Sequence, residues 1–268
     1  MRDKTWDAAT YDAHFGFVTE LGAPLLELLA AQSGEKIIDV GCGTGHQAQA
    51  LGEIGAVVLG IDADERMIDR ARAESGANAN VTFVRADAQD RRSLAVSEVR
   101  EVTPADAVLS NAALHWMTQA DSVVANVRSL LRTGGRFVAE MGAARNVDLT
   151  CSAIESALTE LGVSPAEIAV TMRGQWWFPT PATQAGILEA AGFDVASMQY
   201  FARRTPLKDG DTLATWSRMF ATTARSLVPS DRVDELDSRI DAHGVRLGLD
   251  AGGWHIDYTR LRFVAIAG

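Results

Sequence analysis

The chain has 268 residues, a formal net charge of −10, and 47% apolar against 22% charged residues, proportions of a globular chain able to bury a sizeable core. The acidic balance, with no basic cluster beyond pairs such as Arg91-Arg92 and Arg203-Arg204, weighs against a nucleic-acid partner, because phosphate binding needs a cationic surface. No stretch approaches the roughly 18 apolar residues of a membrane span, and the opening residues, MRDKTWDAATYD, lack the apolar core of a signal peptide, so a cytoplasmic protein without a membrane partner is expected.

In chain order, the first segment carries Trp6, Tyr11, His14, Phe15 and Phe17, too aromatic for an unstructured tail. Residues 36 to 46, KIIDVGCGTGH, are an apolar run bearing Asp39 that breaks into Gly41, Gly43 and Gly45. A short buried strand turning through glycines into a helix lets backbone N–H groups approach a ligand, because no Cβ stands in the way. A dinucleotide fingerprint would place its third glycine at position 46, where the chain has His46. The alternate spacing instead resembles the first motif of the class I S-adenosylmethionine-dependent methyltransferases, an acid, an apolar residue and G-x-G-x-G. A tight turn with no ligand is the bland alternative.

A helix is predicted over His46 to Ile54, then a second strand, AVVLGID, ending at Asp62. An acid at that strand tip can accept hydrogen bonds from both ribose hydroxyls of a nucleoside, in nicotinamide enzymes as well as in methyltransferases. The next helix, Asp64 to Ser75, has Asp64 as its N-cap and Met67, Ile68 and Ala71 on its inner face. The third strand, Asn80 to Arg85, leads into Ala86, Asp87 and Ala88. The resemblance places Asp87 at the adenine amino group, with Ala63, Met67 and Ala88 as further cofactor-binding residues.

A charged surface helix is expected over Arg91 to Arg100, a fourth strand over Ala105 to Ser110, a helix over Asp121 to Leu131, and a fifth strand over Gly135 to Met141 after the breaker Thr133-Gly134-Gly135. This alternation, with right-handed crossovers, describes an α/β fold built on a doubly wound, mostly parallel sheet. In the class I fold two final antiparallel strands complete seven. The run NAALHWM after the fourth strand is similar to that of the subfamily containing the trans-aconitate methyltransferases and related small-molecule methyltransferases. There the strand-tip asparagine, here Asn111, and a nearby aromatic border the cofactor. Asn111 can meet the methionyl ammonium or carboxylate, or simply cap a turn. His115 is either a general base at the methyl group or a packing residue. By the same resemblance an amino-terminal helix containing Tyr11-Asp12 folds over the cofactor.

Beyond Met141 a helix is read over Val147 to Leu161, then a proline-containing segment with Arg173, Trp176, Trp177 and Phe178, then a helix over Pro181 to Ala191 ended by Gly192. The bulky residues Trp116, Trp176 and Trp177 with Arg173 are candidates for an aromatic wall with a cationic anchor for an organic acid. A sixth strand, Phe193 to Phe201, two helices, Asp211 to Ser226 and Asp231 to Leu247, and a last strand, Tyr258 to Ala267, complete the chain. The organisation expected is one domain, 1–268, with a core at 30–142 and helical cover segments at 1–25, 143–180 and 205–255. Two cysteines, Cys42 and Cys151, make no metal-ligand spacing with the five histidines, and no metal is expected.

The activity implied is methyl transfer from S-adenosylmethionine to a small-molecule acceptor, O-directed onto a carboxylate or hydroxyl. The alternatives are a nicotinamide-dependent oxidoreductase and a non-catalytic S-adenosylmethionine-binding protein.

Overall fold

The structure, a computed structural model, describes residues 23–76 and 78–268. The expected lid, Tyr11 included, lies outside the described residues. Helices and strands alternate as α1 (Ala23–Leu29), β1 (Lys36–Val40), α2 (His46–Glu53), β2 (Val57–Asp62), α3 (Glu65–Glu74), β3 (Val81–Arg85), α4 (Ser97–Val102), β4 (Ala105–Asn111), α5 (Ala120–Leu130) and β5 (Leu131–Gly142). The second half contributes α6 (Asp148–Glu160), α7 (Pro165–Arg173), α8 (Pro181–Ala190), β6 (Phe193–Pro206), α9 (Leu213–Phe220), α10 (Thr222–Arg225), α11 (Val233–Arg246) and β7 (His255–Ala267). The described residues form a seven-stranded sheet in the order β3-β2-β1-β4-β5-β7-β6. Strands β1 to β5 are parallel, and β7 runs antiparallel between β5 and β6. The winding reverses between β1 and β4, which opens a crevice at their carboxyl ends.

Buried on both faces, the parallel strands read as continuous apolar runs. Successive residues of β1 feed opposite cores. Ile38 and Val40 join Leu59, Val108, Val127, Phe137 and Phe263 on one side, and Ile37 joins Leu25, Val58, Ile68 and Leu109 on the other. A third core, with Ile154, Leu158, Leu213, Trp216, Leu236 and Tyr258, lies within the helical cover. No helix of the described residues is long and apolar enough to cross a membrane.

Several boundaries differ from the sequence reading. The helix expected over Arg91 to Arg100 begins only at Ser97, because Asp87 and Asp90 take the backbone N–H groups of Gln89 and Arg92 and hold a turn there. The proline-containing segment is itself the helix α7. Pro165 occupies its first turn, and Ser164 with Glu167 forms a capping box, so the proline starts the helix. Strand β5 begins at Leu131, ahead of the glycine pair, through a shifted register against β4. The stretch 211–226 breaks at Ala221 into α9 and α10. Strands β6 and β7 pair out to Pro206 and His255, so the last helical segment spans 207–254. Residues 23–25, assigned to the cover, belong to α1, whose Leu25 and Leu29 are wholly buried beneath the sheet.

On β5 the buried Glu140 ties the antiparallel edge together. Its oxygens accept two bonds from Arg203 of β6, at 2.6 and 3.0 Å, and two from Arg262 of β7, at 2.9 and 2.7 Å. Glu140→Ala leaves two guanidiniums without their acid, and is expected to lower the stability measured by urea unfolding by about 3–5 kcal/mol.

Candidate functional site

The three glycines of the turn after β1 are all left-handed, with φ of +73°, +55° and +86° at Gly41, Gly43 and Gly45. They differ in what surrounds them. A Cβ on Gly41 would lie 2.2 Å from Cβ of Ala113, and one on Gly45 would lie 2.5 Å from the Phe83 ring. Among the described residues, a Cβ on Gly43 would meet nothing within 4 Å. Gly41 and Gly45 therefore serve the packing of the protein, while Gly43 faces open space. That open space is what a closely approaching ligand requires.

Asp62, at the tip of β2, holds this turn. Its carboxylate accepts the Gly43 N–H at 3.1 Å and the Asp64 N–H at 2.9 Å. Asp64 in turn caps α3, accepting the Arg66 N–H at 3.0 Å. Burial raises the Asp62 pKa above the usual carboxylate value, and the two backbone N–H groups pull against that rise.

Asp39, next to last in β1, is 1% exposed and pairs with Gly60 on one side and Leu109 on the other. Neither of its carboxylate oxygens has a hydrogen-bond partner among the described residues. Burial, and then the charge of Asp62, push its pKa up to about 7. An uncompensated acid of this kind is matched by a cationic ligand group. The ammonium of S-adenosylmethionine, with an open glycine turn beside it, fits this end of the sheet.

Past β3, Asp87 is half-buried and accepts the Gln89 N–H at 2.9 Å. Ala88 is buried, and its carbonyl accepts from Asn126. Met67 is buried under α3, whereas Ala63 is exposed at the β2 tip. Asn111 ends β4 beside Glu140 of β5. Asp39, the glycines, Asp62 and Asn111 thus stand at the carboxyl ends of β1, β2 and β4, and Asp87 and Ala88 just past that of β3.

On the far side of Ala113 lies a cavity of about 50 Å³. Its walls are Ala112, His115 and Trp116 after β4, Asn146 and Val147 before α6, Trp176 and Phe178 after α7, Trp216 and Phe220 of α9, and Tyr258 and Arg260 of β7. The rings of Trp176 and Phe178 stack at 5.5 Å, and that of Trp116 lies 6.2 Å from Phe220. Ala112 and Val147 hold left-handed φ of +54° and +57°, costly for residues with a Cβ and most frequent at functional sites.

His115 is buried, and its Nδ1 accepts the Gly142 N–H at 3.2 Å. The neutral ring then carries its proton on Nε2 and has no lone pair left to take one. With this bond made, His115 presents Nε2–H; a base at Nε2 needs the other tautomer, with the Gly142 bond given up.

One expectation shifts. Trp176 lines the cavity, but Trp177 packs against the core beneath the sheet, because successive residues of this extended segment point to opposite sides. The side chain of Arg173 lies outside the described residues; among the described residues Arg260, stacked 4.2 Å above the Tyr258 ring, lines the chamber. Asn146, Trp216, Phe220, Tyr258 and Arg260 escaped the sequence reading. The i, i+2 pair Tyr258 and Arg260 on one face of the last strand was the available signal.

A methyltransferase-domain family model matches residues 38–139. An uncharacterised methyltransferase of Schizosaccharomyces pombe is 32% identical over 269 residues, covering 99% of both chains. The trans-aconitate 2-methyltransferase of Deinococcus radiodurans is 28% identical, covering 97% of this chain and 98% of its own. Shorter matches include a tRNA 5-carboxymethoxyuridine methyltransferase of Escherichia coli, 37% identical over 37% of each chain. Among solved structures, Haemonchus contortus phosphoethanolamine N-methyltransferase 2 in complex with S-adenosylhomocysteine superposes with a TM-score of 0.60 at 16% identity, over 99% of this chain and 59% of that one.

The raised pKa of Asp39 carries a sign. Its folded value, about 7, lies above the unfolded value, so ionising it costs folding energy as pH rises from 4 through 7. In ligand-free protein, Asp39→Asn is expected to match wild type in stability near pH 4 and to exceed it at pH 8 by a few kcal/mol. Urea unfolding at the two pH values measures this; equal stability at pH 8 would show that Asp39 is not held in a charge-hostile site.

Proposed function

The chain belongs to the class I S-adenosylmethionine-dependent methyltransferases, and within that family we propose that it methylates an oxygen of a small-molecule acceptor. Membership in this enzyme family removes the nicotinamide and non-catalytic alternatives. The observation that carries the acceptor class is the chamber itself. It is walled by aromatic side chains and by Ala112, whose neighbour Ala113 packs against Gly41 of the glycine turn. Two further facts support a small molecule over RNA. The relative named for trans-aconitate spans nearly the whole chain, cover included, whereas the tRNA-modifying relative spans 37% of it. The net charge is −10.

The bound cofactor supplies an electrophilic methyl group on a sulfonium. In this reading Asp62 uses its remaining lone pairs on the ribose hydroxyls while still holding Gly43 and Asp64. Gly43 leaves the space in which the cofactor lies. Asp39 faces the ammonium and becomes fully ionised against it, and Asn111 borders the methionyl group. Asp87 meets the adenine, with Ala63, Met67 and Ala88 along the same wall. The chamber holds the acceptor in line with the methyl group and excludes water, which is most of what a displacement of this kind asks of a protein. Trp116 and Trp176 supply its aromatic faces.

Incubation with methyl-tritiated S-adenosylmethionine and separate pools of small organic acids, phenols and tRNA tests the acceptor class. Label is expected in a small-molecule fraction; label in tRNA alone would overturn the reading. Asp62→Ala removes a charge-assisted pair of hydrogen bonds and releases the Gly43 amide. It is expected to weaken S-adenosylhomocysteine binding by about 2–3 kcal/mol in isothermal titration. An unchanged affinity would refute the ribose assignment.

A further inference from the structure

Asp39 and Asp62 share one face of the sheet. The parallel register sets Asp39 of β1 opposite Gly60 of β2, and Asp62 follows Gly60 by two residues, so all three point to the same side. Gly60 has no side chain, and the Phe83 ring and the Cys42 sulfur fill the space above it, where they would lie 2.5 and 2.9 Å from a Cβ. The surroundings treat the two acids differently. Asp62 accepts the N–H groups of Gly43 and Asp64, whereas neither oxygen of the wholly enclosed Asp39 has a partner among the described residues.

Among the described residues no cation offsets Asp39. The opposing residue of β4 is Leu109, and Ile37 and Val58 share the face. The glycine turn presents Cys42, whose thiol is kept protonated by burial and by both acids. Helices α1, α2 and α3 pack over this face through apolar residues and turn their charged ones to solvent. A buried carboxyl with no donor and a second acid beside it sheds its charge by holding a proton. We infer that the empty protein keeps Asp39 protonated and that the ammonium of the cofactor displaces this proton, so that cofactor binding and proton release are one event. The carboxyl O–H bond breaks, its electron pair stays on the carboxylate that faces the ammonium, and the proton passes to solvent.

Burial, and then Asp62, push the Asp39 pKa up to about 7, which sets this exchange near neutral pH. Below that value each cofactor bound must expel a proton, and affinity falls about tenfold for each further unit of acidification. Above it Asp39 is already charged. There the α-amino group of the cofactor, with an ordinary pKa of about 7.7–8.0, loses its own proton and must regain it on binding. Binding is thus tightest in a narrow window around neutrality, and acidification empties the site of its methyl donor.

This inference rests on the reading above that sets the ammonium against Asp39, and its test reads protons, independently of turnover. Wild-type protein is titrated calorimetrically with S-adenosylhomocysteine in pairs of buffers that differ in ionisation enthalpy. About 0.9 proton is expected to leave per cofactor bound at pH 6, with net uptake at pH 8. 5′-Methylthioadenosine, which lacks the ammonium, is expected to bind at pH 6 without release. Asp39→Asn is expected to abolish the release at pH 6 and to weaken S-adenosylhomocysteine at pH 8 at least tenfold, with 5′-methylthioadenosine within twofold. Wild-type binding without proton release at pH 6, or a release that persists in Asp39→Asn or with 5′-methylthioadenosine, would overturn the inference. If Asp39→Asn weakened both ligands equally at pH 8, the placement of the ammonium itself would fall, and the inference with it.

Discussion

The Asp62 carboxylate joins two turns that belong to different strands. By accepting the Gly43 N–H and the Asp64 N–H it locks the glycine turn after β1 to the start of α3 after β2. A left-handed turn of three glycines has little stiffness of its own, since each glycine is free to take many conformations. One carboxylate therefore converts a flexible stretch into a rigid edge, and the rest of the carboxyl end of the sheet is positioned against it. Gly41 rests on Ala113, Ala113 continues into the chamber, and Gly45 rests on Phe83 of β3.

That arrangement has an electrostatic cost. Asp39 is buried behind the same turn, and the charge of Asp62 adds to burial in raising its pKa. Two acids in a site of low polarity destabilise the empty protein and favour any ligand that brings positive charge. A sulfonium cofactor with an ammonium group supplies two.

The chamber is built by other parts of the chain. Its walls come from α9, β7 and the loops around α6 and α7, set over the sheet by a core of their own. Ala112, left-handed at the end of β4, lies in its wall.

Much of the carboxyl end of the sheet was legible in the sequence because each of its determinants is local. Asp39 precedes Gly41 by two residues, Asp62 ends an unmistakable apolar run, and Asp87 closes the next. Their relation in space follows from parallel pairing, which aligns strand tips of similar length. The chamber was not legible to the same degree. Trp177 was plausible from its aromatic neighbourhood, yet strand alternation turned it into the core, and Arg260 of β7 joined the chamber wall from a part of the chain distant in sequence.

By itself the sequence determined the elements whose cause is a run of neighbouring residues: the apolar strands, the glycine turn, the caps and the acids at the strand tips. Only the tertiary structure decided which way a polar group faces once others have claimed part of its hydrogen-bonding capacity. His115 is a donor because Gly142, on a different strand, occupies its other nitrogen. Tyr258 is a donor because Trp216, on a cover helix, occupies its oxygen. Such roles depend on partners distant in sequence, and no local pattern encodes them.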